Sequence, residues 1–481
     1  MTGAHAQHDG SQQRRWLVLV AMTGSLAMIF VDMTVVGVAL PKIGGALGMG
    51  DAGQAWIVTS YLLTLASLMA LGGRIGDLVG KVPAFIAGVL LFAAASVVCG
   101  SASTASHMIV GRVLQGVAAC LMQPASGALV IGAFAPGERG KAMAVYVGVP
   151  LLFMMLGPVL GGALTQWAGW RWIFGVNLPV AVAALVLVAI VRPIEPVAER
   201  RPIHWLSAAM LVTGLPALVF GLQEQTRPTD GMATWIGPAA IIVGAALVAI
   251  FTRLQFTLAA PLLDLRLFRD RTLLGQVAVL GLTQVATIGQ TMFGPAYLQG
   301  ALGFTPLQSG LAGLPLAVPA LLLVHVAGRV YDRRGAVGVV RVGSVLCVVG
   351  LGTITIGMLM RSYVVMAVGM TLHGSGMAFL MNPIQTDVVS RVPPAQRGES
   401  AGLAATARQV GNSLGVAIAA MVLARTGLPS LDAPGMERLE ADDLAQSFAW
   451  MGGMQVAAMI TASVVAWSLV RDRVPHRAPR A

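Results

Sequence analysis

Two charged residues stand where charge is costly. Asp32, in Phe30-Val31-Asp32-Met33-Thr34, and Arg112, in Gly111-Arg112-Val113-Leu114-Gln115-Gly116, each interrupt a long apolar run. A charge at the centre of a lipid bilayer costs a few kcal/mol, so such a side chain faces a polar interior or a partner. Burial favours the protonated acid and a nearby cation favours the carboxylate. An acid that moves between two such environments therefore takes up and releases a proton. Arg112 is a candidate modulator of that exchange, and Gln115 a candidate hydrogen-bond partner. The alternatives are an Asp that packs helices through Thr34 and a purely structural salt bridge.

Two further patterns concern movement. In Gly157-Pro158-Val159-Leu160-Gly161-Gly162, preceded by Gly148, a proline removes a backbone donor and bends a helix, while glycines four apart admit a close neighbour. In Gly73-Arg74-Ile75-Gly76-Asp77-Leu78-Val79-Gly80-Lys81, glycines permit a tight reversal, and Asp77 can accept from a helix N-terminus or pair with an Arg. That stretch is echoed by Gly328-Arg329-Val330-Tyr331-Asp332-Arg333-Arg334-Gly335. The duplication favours a charge latch over a basic loop with an Asp cap.

The elements that must carry these residues are membrane-spanning helices. The chain has 481 residues, 56% hydrophobic and only 11% charged, with a mean hydropathy of +0.79. A water-soluble surface cannot be built with so little charge. Apolar runs predict spans at 16–38, 54–72, 83–101, 107–133, 141–164, 171–191, 205–223, 234–252, 272–297, 306–327, 337–358, 363–389, 400–424 and 447–470. The fold class is thus all-α integral membrane, with fourteen transmembrane helices.

Charge supports the count. Connections on one side carry Arg74, Lys81, Arg139, Lys141, Arg192, Arg200, Arg201, Arg253, Arg266, Arg269, Arg271, Arg329, Arg333, Arg334, Arg341, Arg391 and Arg397, together with both basic tails. The other side carries Lys42, Arg171, Arg227, Arg361, Arg425 and Arg438. The positive-inside rule then puts both termini in the cytoplasm. The repeat divides the chain into a cytoplasmic tail at 1–15, a six-helix bundle at 16–192, a linker with two inserted helices at 193–271, a second six-helix bundle at 272–471 and a basic tail at 472–481. By the helical rise, Asp32 lies ~24 Å into the first span and Arg112 under ~10 Å into the fourth, both in the outer half of the membrane.

With these motifs in this order, the chain resembles the major facilitator superfamily, and within it the drug:proton antiporter family of fourteen spanning segments. The resemblance covers nearly the whole chain. It implies two helical bundles around a midplane cavity, alternating access, Asp32 and Arg112 in proton coupling, the Gly73 to Lys81 latch, and a helix-five antiporter signature. Trp170-Arg171-Trp172-Ile173-Phe174-Gly175-Val176-Asn177-Leu178-Pro179 resembles the same branch, its aromatics anchoring at the outer interface, as does Arg408-Gln409-Val410-Gly411-Asn412-Ser413-Leu414-Gly415.

Polar residues in second-half spans, Gln284, Gln290, Tyr297, His373, Asn382, Gln385 and Asn412, are candidates to line the cavity or to bond helix to helix. Asp387 and Glu399 fall near span ends, so one central acid remains, which favours neutral or weakly cationic cargo over dications. Cys99, Cys120 and Cys347 lie in apolar runs and read as lone thiols. The positive charge is strung between spans rather than gathered on one face, which argues against nucleic acid. No phosphate loop, metal-binding pattern or nucleophile elbow is present, so neither an enzyme nor a cofactor or metal is expected, and the energy source is a proton gradient. The expected function is export of small hydrophobic drug-like or antibiotic molecules in exchange for protons, by a monomer in a bacterial plasma membrane. The competing readings are proton-coupled metabolite uptake and a transport-inactive membrane sensor or scaffold.

Overall fold

The computed structural model describes residues 2–135, 138–193, 202–224, 235–259, 261–392, 397–426 and 441–471. The basic tail at 472–481, Arg200, Arg201, Arg227 and Arg438 lie outside the described residues, as do the side chains of Asp332 and Glu399. The described elements are sixteen α-helices and one 3-10 turn. Among the described residues, thirteen helices are long and apolar enough to cross a membrane, and a bent pair, Lys141–Met154 with Leu156–Trp167, makes a fourteenth span when taken as one. The fourteen apolar runs of the sequence correspond to these spans, because in lipid a helix satisfies every backbone polar group within itself.

The helices gather into two compact units. The first comprises Met1–Leu262, Gln290–Ala312 and Val416–Leu444. It holds α1 (Thr2–Leu47), α2 (Asp51–Val79), α3 (Lys81–Gly100), α4 (Ala105–Ala133), α5 (Arg139–Trp167), α6 (Trp172–Gly175), α7 (Asn177–Val191), α8 (Trp205–Glu224), α9 (Ile236–Thr257) and α11 (Pro306–Leu311). The second comprises Leu263–Gly289, Gly313–Gly415 and Ala445–Ala481. It holds α12 (Leu314–Arg334), α13 (Ala336–Leu359), α14 (Tyr363–Arg391) and most of α16 (Ala441–Leu469). Both α10 (Arg271–Leu302) and α15 (Arg397–Arg425) contribute residues to each unit.

Within each unit, small residues let helix backbones touch. A Cβ on Gly343, Gly350 or Gly357 of α13 would lie 2.5–2.7 Å from the backbone of α14 at Leu380, His373 and Met366. The inserted pair uses the same device, with Gly214 and Gly221 of α8 against Gly244 and Gly237 of α9. Seven-residue spacing holds one face of a helix on its neighbour, and close approach replaces the hydrophobic drive that lipid cannot supply. The opposite faces are apolar and exposed, as at Val182, Val186 and Ile190 on α7. In unit 1, α8 packs on α2, where the rings of Trp56 and Phe220 meet at a 44° tilt with centroids 6.1 Å apart.

The repeated latch differs from the sequence expectation. Residues 73–79 form the last turns of α2 rather than a loop, and residues 328–334 end α12. The reversals reside in Gly80 (φ 102°) and Gly335 (φ 77°), each both the last cap of one helix and the first cap of the next. A positive φ of this kind strains any residue with a Cβ, so one glycine per copy makes the turn. Hydropathy marks where lipid ends, and a helix runs on into water wherever its side chains tolerate it.

Candidate functional site

Five helices of unit 1 converge on Asp32. It sits on α1 with no exposed surface, and Arg112 of α4 is 1% exposed. The guanidinium donates through Nη1 to Asp32 Oδ2 at 2.5 Å and to Gln115 Oε1 at 2.7 Å, and through Nε to the Ile57 carbonyl of α2 at 2.9 Å. Its Cζ lies 4.4 Å from the ring centroid of Tyr61, also on α2. The cation is therefore held by one charge, two neutral acceptors and a π face.

The second carboxylate oxygen takes two amides. Gln115 Nε2 reaches Asp32 Oδ1 at 3.2 Å, and Asn177 Nδ2 of α7 reaches it at 3.1 Å. Both amides also donate to Ser96 Oγ on α3, at 3.0 and 3.2 Å. The Cys99 thiol of α3 lies 3.6 Å from Gln115 Oε1. Asp32 and Arg112 thus touch, and Gln115 bridges them. Asn177, Ser96 and Tyr61 complete the site; each is neutral, so no interrupted charge pattern marks them in the sequence.

The helix-five motif packs directly beneath this cluster. Gly157 has no room for a side chain, since a Cβ there would lie 1.9 Å from Thr34 Oγ1, and one on Gly161 would lie 2.6 Å from the Val35 carbonyl. On its other side, a Gly162 Cβ would meet the Pro306 carbonyl of α11 at 2.4 Å, and a Gly310 Cβ the Pro158 carbonyl at 2.2 Å. Pro158 offers no N–H to the Met154 carbonyl one turn back. The Thr34 hydroxyl lies 3.0 Å from that carbonyl, nearer than the Val31 and Phe30 carbonyls of its own helix at 3.2 and 3.3 Å, and can donate to it instead. The helix bends by 41° between Met154 and Leu156. Gly148 plays no part in this contact, with open space around its Cβ position.

The latch residues bond locally. Lys81 Nζ pairs with Asp77 Oδ1 at 2.7 Å and reaches the Gly73 carbonyl at 3.3 Å. Within unit 1, Arg74 donates instead to the Pro261 carbonyl at 2.8 Å, in the segment that follows α9. In the second copy Arg329 is exposed and nothing approaches the Cβ position of Gly328.

The second-half polar residues separate into distinct surroundings. In unit 2, Gln284 Nε2 donates to Asn412 Oδ1 and Asn412 Nδ2 to Gln409 Oε1, each at 2.8 Å. His373 lies in the α13–α14 seam, its Nδ1 3.4 Å from the Cys347 carbonyl, so it joins two helices. Gln290 and Tyr297, in unit 1, are buried. Asn382 is half-buried. Asp387, four residues from the end of α14, is 4% exposed and takes donors from Gln276, Tyr331 and Arg391. Trp172 is exposed as an anchor would be, while Trp170 turns inward beneath Arg171. The three cysteines are free and buried.

Apolar-surfaced spanning helices enclosing a buried, hydrogen-bonded ion pair define a multi-pass membrane protein. The Major Facilitator Superfamily model matches residues 22–416, and the chain belongs to that superfamily. Among its relatives, the multidrug resistance protein B homolog of Mycobacterium tuberculosis is 34% identical over 82% of this chain and 74% of that one. The puromycin resistance protein of Streptomyces alboniger is 29% identical over 97% and 93%. The tetracenomycin C resistance and export protein of Streptomyces glaucescens is 32% identical over 88% and 78%. Each of these three relatives is named for resistance to drugs or to an antibiotic. The fold matches an auto-inhibited peptide transporter of the POT family with a TM-score of 0.69 at 16% identity, covering 97% of this chain and 99% of that one. It also matches a D-xylose–proton symporter with a TM-score of 0.66 at 15% identity, over 95% and 97%.

Proposed function

We propose that this chain exports small, largely apolar drug-like or antibiotic molecules in exchange for protons, its site opening to one side of the membrane at a time. The observation that carries the reading is the buried Asp32–Arg112 pair, whose carboxylate takes three donors, from Arg112, Gln115 and Asn177. A transport-inactive scaffold has no use for two charges inside a span, because each costs a few kcal/mol to place there. A protonated Asp32 releases Arg112 from its counter-charge, so proton binding and rearrangement of α1 against α4 become one event. The resistance functions named for the relatives supply the direction and the cargo class.

In this reading both termini are cytoplasmic, the protein acts as a monomer in the bacterial plasma membrane, and the proton gradient replaces any nucleotide or cofactor. The test is efflux from proteoliposomes holding a pH gradient. Loss of efflux when the gradient is collapsed supports the reading. Efflux that continues unchanged, or none at either condition across lipophilic antibiotics, overturns it.

A further inference from the structure

Arginines within or at the ends of spans differ in what neutralises them; Arg74, at the end of α2, meets only the Pro261 carbonyl among the described residues. Arg112 meets Asp32 and Arg391 meets Asp387. Arg408 of α15 meets no carboxylate among the described residues. It sits eight residues into the apolar span that begins at Ser400, ~12 Å deep by the helical rise. Its Nη1 donates to the neutral Gln385 Oε1 of α14 at 2.8 Å, within unit 2.

A guanidinium offers five N–H donors, and a neutral amide oxygen occupies one of them without cancelling the charge. At this depth a cation needs a partner, and since none of the carboxylates among the described residues supplies it, water or an anion brought by a ligand can. On α15 the neighbouring Ala404 and Asn412 are buried and Gly411 packs on the Gly281 backbone of α10, whereas Arg408 itself is only half-buried and so is open to an approaching group. Asn382, one turn from Gln385 on α14, is half-buried with no hydrogen-bond partner among the described residues. Asp32, by contrast, has no charge to spare for a cationic cargo, since Arg112 already takes it up.

We propose that Arg408, with Gln385 and Asn382, recognises an anionic group on the transported molecule, a carboxylate or ionised phenol carried on an apolar frame. The planar fork of Arg suits the two oxygens of a carboxylate, and the flanking amides accept or donate to substituents beside it. This deepens the export reading and rests on it. It also replaces the preference for neutral or weakly cationic cargo suggested by a lone central acid.

The test is equilibrium binding, without any gradient, of three probes of one shape to the purified full-length protein in detergent: 1-naphthoate, 1-naphthalenemethanol and 1-naphthylmethylammonium. The wild type is expected to bind naphthoate at least tenfold more tightly than the other two. Arg408→Gln removes that preference and Arg408→Lys keeps part of it. Gln385→Glu also removes it, by giving Arg408 a built-in carboxylate, and this variant decides the matter should Arg408→Gln fail to fold. Absence of naphthoate binding, a wild type without the preference, a preference unchanged in Gln385→Glu, or an Arg408→Gln variant that loses all three probes equally would overturn the proposal. Naphthoate preference in a protein that moves no protons would overturn the export reading and leave the site standing; proton-coupled export without the preference would do the reverse.

Discussion

Replacing Asp32 by Asn separates the charge of the site from its shape. The native carboxylate is wholly buried and accepts from Arg112, Gln115 and Asn177. An Asn of the same size removes the negative charge and turns one acceptor into a donor that faces amide donors. Arg112 keeps the Ile57 carbonyl, Gln115 Oε1 and the Tyr61 ring, none of which carries charge. Removing one partner of a buried ion pair costs about 3–5 kcal/mol, because the other charge is left uncompensated. Removing both is often near neutral. Asp32→Asn should therefore lower the thermal unfolding midpoint in detergent, and Asp32→Asn with Arg112→Gln should restore most of it. Neither variant should couple efflux to protons in proteoliposomes. Wild-type proton-coupled efflux by Asp32→Asn would refute the assignment of the proton site, and a double variant no more stable than the single one would refute the energetics.

Asn177→Asp tests the residue that no charge pattern reveals: a second carboxylate would stand where the amide now lies 3.1 Å from Asp32. Two like charges sharing one cation disfavour joint ionisation, so coupled efflux should fall at least tenfold, and its dependence on external pH should change while Asn177→Ala alters it less. Gly161→Ala tests the contact beneath the site. Its Cβ would lie 2.6 Å from the Val35 carbonyl, a backbone atom that cannot swing aside. Overpacking of this kind costs about 1–3 kcal/mol; substrate transport should drop and proteoliposomes should leak protons, read as gradient decay without substrate.

Spans and candidate charges were legible because both depend on local composition. A run of apolar side chains needs lipid wherever it lies, and a charge inside such a run needs a partner, so Asp32, Arg112 and Gln115 stand out before any fold is known. Asn177 does not, since a neutral amide in Trp170 to Pro179 carries no such cost and the segment reads as an interfacial anchor. Only the packing of α7 against α1 and α3 brings it to the carboxylate. Hydropathy likewise ends the second span at residue 72 although α2 continues to Val79, because Arg74 and Asp77 find partners without leaving the helix, in the Pro261 carbonyl and in Lys81 at the start of α3. His373 takes the helix-to-helix alternative that the sequence left open for it. The glycines that bring α13 and α14 together put it against a backbone carbonyl, where it serves packing.

Where the acid and the bent helix meet explains why two motifs far apart in sequence belong to one device. Pro158 frees the Met154 carbonyl, and in a low-dielectric interior a freed carbonyl must be bonded or it destabilises the bend. Thr34 can supply that bond from a position two residues beyond Asp32 on the same helix. Gly157 and Gly161 allow the approach, because any side chain at either position would collide with α1 at Thr34 or Val35. The segment from Asp32 to Val35 is thereby fixed on one face by the charge of Arg112 and on another by the backbone of α5. A change in the charge of Asp32 alters the first attachment directly, and a rigid helical turn transmits the resulting displacement to the second. If Asp32 is the proton site proposed above, its protonation and the bend of α5 are coupled through four residues of α1, with no longer relay of side chains required.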